Sequence, residues 1–153
     1  MTHDLLTALG LYGGTFVIAF VAGMFPVVSV EVFLVGLAVY DVSPTTLAIL
    51  VPIAATGHQV AKTICYYAGV AALDGPSGRV RDRIEKARAR IERWNKRPNL
   101  VMALGASFGL PPMYLLAFVA GPLMRLGITR FTVICFVGRV LRYATLAAIP
   151  LLF

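Results

Sequence analysis

The sequence predicts an all-α polytopic membrane protein. Its expected parts are two re-entrant helical hairpins and transmembrane helices in an inverted repeat, with a basic amphipathic helix between the halves. Three observations predict this class. Of the 153 residues, 59% are hydrophobic and 14% charged, and mean hydropathy is +0.83; a soluble domain of this length has too much surface to hide so much apolar area. Four apolar stretches follow one another, at about 10–40, 44–73, 98–127 and 128–153, where a single helical span needs about 20 residues. The charge is concentrated: nine Lys/Arg and three Asp/Glu lie between Arg79 and Arg97, a net +6 of the chain's +7.

The N-terminal MTHDLLTALG lacks the basic n-region of a secretory signal, so a retained N-terminus is expected. The first apolar stretch is interrupted by Gly23, Pro26 and Gly36, and it carries Glu31 within FPVVSVEVFL (25–34). The second, 44–73, reads as a full span. A turn at Gly75-Pro76-Ser77-Gly78 opens the segment 79–96, where Val80, Ile84, Ala87, Ile91 and Trp94 recur at helical spacing among charges. An amphipathic helix at the membrane surface is expected over 75–97, with Trp94 at the interface. The third stretch contains Gly109-Leu110-Pro111-Pro112 and then Gly121-Pro122. Adjacent prolines remove helix hydrogen bonds and clash with the preceding turn. Broken backbone at membrane depth is tolerated only where protein or a wet cavity covers it, so re-entrant hairpins are expected in the first and third stretches. The fourth, 128–153, reads as a span.

Charge selects the hairpin topology. If the basic block is cytoplasmic and stretches one and three return to the side they entered, Arg125 and Arg130 also lie inside, as the positive-inside rule favours. With four complete crossings they would lie outside. A multi-pass protein of the bacterial inner (plasma) membrane with 79–97 cytoplasmic is the resulting expectation.

The two halves echo each other. FPVVSVEVFLVGLAV (25–39) lies over LPPMYLLAFVAGPLM (110–124), matching Pro26 with Pro111 and Gly36 with Gly121; GHQVAK (57–62) lies over GRVLRY (138–143). One membrane domain, 1–153, is thus expected to hold a first repeat at 10–73, the linker helix at 75–97 and a second repeat at 98–153. Inverted repeats of this kind are a transporter signature. The plain alternative is a four-helix membrane anchor.

Ionisable residues inside the spans are the functional candidates, because a charge at the bilayer centre costs roughly 2.5–3.5 kcal/mol on insertion scales. They are Glu31, Lys62, Arg139 and Arg142, with His58 and Tyr143 beside them. His58 and Lys62 are four residues apart and share a helical face, as do Arg139 and Arg142, three apart. Three cations face one carboxylate, and buried charge must be compensated. A phosphate monoester carries about −1.5 to −2 charges near neutral pH and suits arginine's bidentate geometry. Arg139 and Arg142 are therefore expected to hold an anionic lipid phosphate with help from Lys62, and Glu31 to serve as counter-charge or proton site. Pro26, Ser29, Pro111 and Pro112 mark the hairpin tips expected to gate the path. The structural alternatives are that Glu31 pins a hairpin to the arginine-bearing span and that Lys62 extends to an interface. Gln59, Tyr66, Tyr67 and Tyr114 supply further polar edges, each more often used in packing.

No nucleophile–base pair or metal-ligand spacing stands out, so neither covalent catalysis, a metal nor a cofactor is expected. Cys65 and Cys135 sit in apolar context and read as buried, inert thiols. The basic block has no accompanying nucleic-acid motif, so its expected partner is the bilayer.

The pattern P-x-x-S-x-E-V-x-L-V at 26–35, G-L-P-P-x-Y-L-L at 109–116 and G-R-V-L-R-Y at 138–143 resembles the DedA/VTT superfamily of SNARE-associated Golgi-type proteins, most closely its short YqaA-like branch. The resemblance covers roughly 12–150 and rests on order and spacing. It implies two hairpins facing each other across the membrane and translocation of lipid: undecaprenyl phosphate recycling with proton or sodium coupling in bacterial members, phospholipid scrambling in eukaryotic ones. It also implies functional roles for an acidic residue in the first hairpin, matched by Glu31, and for arginines in the second half, approximately matched by Arg139 and Arg142. Larger members carry an F-x-P-x-x-R arrangement in the second hairpin. Here FGLPPMYLL (108–116) is uncharged there, and Met113 and Tyr114 stand where short relatives can carry an acid. Lacking the extra spans of larger members, the chain would need a homodimer to enclose a path. Two other functions fit the same residues: a proton-coupled exporter of soluble solutes, and a non-transporting assembly partner that docks through 79–97.

Overall fold

A computed structural model describes residues 2–25, 29–40, 42–74, 82, 92, 96–109 and 113–152. Among these there are six helices and no strand: α1 (Thr2–Met24), α2 (Val30–Val39), α3 (Pro44–Asp74), α4 (Pro98–Phe108), α5 (Met113–Ala120) and α6 (Ile128–Ala148), the last followed by a 3-10 turn at Ile149–Leu152. Pro26, Pro111, Pro112, Trp94 and most of the basic 79–97 segment lie outside the described residues. Of that segment, Asp82 and Glu92 are helical, and these two, Lys96 and Arg97 are exposed.

Local chemistry explains the helix ends. Ser29 caps α2: its backbone is extended and its hydroxyl accepts the Val32 N–H at 3.3 Å. Glu31 lies in the first turn, where a carboxylate opposes the positive end of the helix dipole. At α3, Ser43 Oγ accepts the Thr46 N–H at 3.2 Å and Pro44 takes the first helical position, where its missing N–H costs nothing. Pro98 does the same at α4. Gly109, at φ 76°, closes α4 in the left-handed conformation that glycine adopts without penalty, its N–H reaching the Gly105 carbonyl at 3.0 Å. After α5 the chain folds back on the helix end, with Leu126 N–H on the Ala120 carbonyl at 2.9 Å. This turn places Arg125 at φ 50°.

Among the described residues two helices are long and apolar enough to cross a membrane, Pro44–Ala72 and Ile128–Ala148. The 31-residue α3 runs roughly 46 Å. Apolar side chains stand exposed along the helices, as on α6, where Val133, Val137 and Leu141 form an outward stripe at i, i+4, i+8. The first apolar stretch is two helices, α1 and α2, which touch each other; the third is likewise α4 and α5.

The chain forms two compact units, 1–61 with 139–153, and 62–138. In the first, the core gathers Ala19, Ala22, Val30, Leu34, Leu50, Ala54 and Ala55. Gly57 of α3 makes a close backbone approach there: a Cβ would collide with the Phe16 carbonyl of α1. Small residues that let backbones meet are how helices pack where the solvent is as apolar as their side chains. In the second unit, Met102, Leu116, Ala117, Phe131 and Cys135 pack around Tyr66, whose hydroxyl donates to the Leu126 carbonyl at 2.8 Å. Cys135 is fully buried. Cys65 is only partly so, because it lies at the edge of that cluster.

Candidate functional site

The first unit brings most of the polar candidates together. Glu31, presented by the capped start of α2, forms an ion pair with Arg142 of α6 at 2.9 Å. Its other carboxylate oxygen accepts the Ser29 hydroxyl at 2.9 Å. One oxygen is thus held by the helix cap and the other by the guanidinium, which fixes the carboxylate's orientation. The two side chains are 27% and 28% exposed, so the pair is neither sealed nor free in solvent.

A second pair joins His58 of α3 to Tyr143 of α6, with Nδ1 and the phenol oxygen 2.8 Å apart. Tyr143 is almost completely buried. Its hydroxyl can donate to an unprotonated Nδ1. Gly23 of α1 leaves the room His58 occupies: a Cβ there would come within 3.1 Å of the imidazole Cδ2 and 2.6 Å of the Ala61 Cβ.

A third pair joins the expected Arg139 to Gln59, which the sequence offered only as a polar edge. Arg139, near the middle of α6, donates from Nη1 to Gln59 Oε1 at 2.5 Å, and both side chains are buried. A guanidinium only donates and an amide oxygen only accepts, so the Gln59 oxygen must face Arg139. The signal in the sequence was a polar residue in the interior of an apolar span, adjacent to His58. What it lacked was any indication that an amide would meet an arginine.

Between α3 and α6 of the same unit lies an apolar cavity of about 390 Å³, lined by residues that include Leu47, Val51, Pro52, Val140, Ala144 and Ala147.

No family model, curated protein or solved structure matches the chain.

Lys62 follows on α3, one residue into the second unit, and is buried. Tyr67 and Tyr114 are about half exposed, and Tyr66 is engaged by the Leu126 carbonyl. Among the described residues no group of His, Cys, Asp and Glu could hold a metal ion.

In chemical terms the unit presents two arginines on one helix, one neutralised by a carboxylate and one hydrogen-bonded to a neutral amide.

Proposed function

We propose that the protein binds the phosphate of an anionic lipid at Arg139 and Arg142 and helps it cross the membrane. The observation that carries this reading is the Glu31–Arg142 pair, 2.9 Å long and set in an apolar helical unit. A carboxylate held there by an arginine can be replaced by a phosphate, and once released it can take up a proton, which couples lipid movement to proton movement. Glu31 is the counter-charge of the empty site. The cavity between α3 and α6 offers room for a hydrocarbon segment of the same lipid.

In this reading the chain is a short, YqaA-like member of the DedA/VTT superfamily in a bacterial inner membrane. The α1–α2 and α4–α5 pairs are its re-entrant hairpins and form an inverted repeat with α3 and α6. The tips around Pro26, Ser29 and Pro111-Pro112 gate the path, the basic 79–97 segment lies on the cytoplasmic face, and two copies enclose the route. Undecaprenyl phosphate and phospholipids are the candidate cargoes. The order of motifs and the paired charges support this reading.

The test is lipid-phosphate translocation in proteoliposomes under a proton gradient of either sign. Wild type should move the lipid, whereas folded Glu31→Gln and Arg142→Ala should not. Proton flux with no lipid movement would identify an exporter of soluble solutes instead. Wild type that moves neither, in a chain whose function is abolished by charge reversal in 79–97, would identify an assembly partner.

A further inference from the structure

Gln59 is 6% exposed, and its Nε2 is buried without a hydrogen-bond partner among the described residues. The amide cannot be turned to cure this. Its oxygen is committed to Arg139 Nη1, and reversing the amide would set two donors against each other. A buried donor left unsatisfied is penalised by desolvation, so such groups are almost always completed by something. What completes Gln59 Nε2 must be an acceptor. The Glu31 carboxylate is already engaged, with one oxygen on Arg142 and the other on Ser29. The acceptor stands next to the permanent charge of Arg139, which favours a negative group over a neutral one.

We infer that Gln59 and Arg139 form a buried binding site for a phosphate-type oxyanion, with Gln59 Nε2 donating to one oxygen and the guanidinium supplying the charge. The inference rests on the assignment of Arg139 to the phosphate site above. It adds a neutral donor that the lipid reading does not name, and it divides the work between the arginines. Arg142 exchanges partners with Glu31; Arg139 is held in place by the Gln59 oxygen and selects the anion together with the Gln59 nitrogen. The shared chemistry is a tetrahedral oxyanion, whether free phosphate or the headgroup of a phosphate-bearing lipid.

The experiment uses the full chain. In detergent micelles, the unfolding midpoint is followed against inorganic phosphate at constant ionic strength, with chloride as the reference anion. In a second arm, the protein is placed in phosphatidylcholine nanodiscs with and without phosphatidic acid. The midpoint of wild type should rise with phosphate as one-site mass action requires. Gln59→Glu keeps an acceptor for Arg139 but presents a negative charge to the anion, and it should weaken the apparent affinity by about tenfold or more. A rise with phosphatidic acid alone assigns the site to a headgroup; a rise with inorganic phosphate assigns it to the free ion as well. Absence of a rise in both media, or an unchanged response in Gln59→Glu, overturns the inference and leaves an ordered water as the partner of Nε2. If Gln59→Glu does not fold, the side-chain amide proton resonance of Gln59 in wild type decides: it must move on phosphate titration, and an unmoved resonance overturns the site. Phosphate binding without lipid movement in proteoliposomes would remove the transport reading and keep this site. Lipid movement without Gln59-dependent binding would do the reverse.

Discussion

Replacing Gly57 and Gly36 by alanine, one at a time, makes the same chemical change in two helices and should shift stability in opposite directions. At Gly57 the new methyl group would point at the backbone of α1. It would overlap the Phe16 carbonyl oxygen and stand 3.2 Å from the Phe16 carbonyl carbon and 3.3 Å from the Phe20 nitrogen. Every one of these is a main-chain atom, so no side chain can turn aside and α1 must retreat. A gap of about 0.5–1 Å forfeits a quarter to a half of the dispersion attraction between facing atoms. Overpacking of this kind typically costs about 1–3 kcal/mol. At Gly36, inside α2, nothing lies within 4 Å of the new methyl. There only the backbone term remains, a gain of about 0.8–1 kcal/mol for alanine over glycine in a helix. The backbone gain applies at both helical sites and cancels in the comparison, so the two variants should differ by the overpacking, roughly 1–3 kcal/mol. The assay is reversible unfolding in mixed micelles, read by far-ultraviolet circular dichroism. Gly57→Ala should also disturb His58, the next residue, and loosen its hydrogen bond to Tyr143. A Gly57→Ala protein as stable as wild type, or a Gly36→Ala protein that is clearly less stable, would refute the packing account.

A double-mutant cycle on Glu31→Gln and Arg142→Gln should give a coupling energy of about 1–2 kcal/mol. That lies above the range for exposed pairs and below the cost of breaking a fully buried one, because both side chains are about a quarter exposed; a coupling near zero would mean the pair contributes nothing to holding α2 against α6. For the hairpin topology, single cysteines at positions 98 and 127 should be labelled by an impermeant reagent from the same side of the membrane, with position 41 labelled from the other. Labelling of 98 and 127 from opposite sides would end the hairpin reading.

Much of the helix inventory was legible in the sequence. The stretch 44–73 coincides with α3 to within a residue, and 128 is the first residue of α6. Gly109 was expected at an interruption and stands in the left-handed cap of α4. These features are local: a proline lacks an N–H wherever it stands, a glycine accepts positive φ, and an apolar run of span length announces itself by composition alone. The start of α1 was less visible, because Thr2–Ala8 can continue a helix without belonging to the apolar stretch that marked it.

That Glu31, Arg139 and Arg142 stand among apolar neighbours could also be read from the sequence, since this depends only on their surroundings along the chain. Which of them would meet could not. Spacing along one helix puts Arg139 and Arg142 on one face, yet it does not say which partner each finds on another helix. Glu31 could have balanced any of three cations; the capped start of α2 brings it to Arg142. Arg139 turns instead to Gln59, 80 residues away, and Tyr143 to His58, 85 residues away. Those choices are made by the close approach of α1 to α3 at Gly57 and by the packing of the first unit. They depend on which backbones come within side-chain reach, and that is a property of the folded chain rather than of any local run of residues.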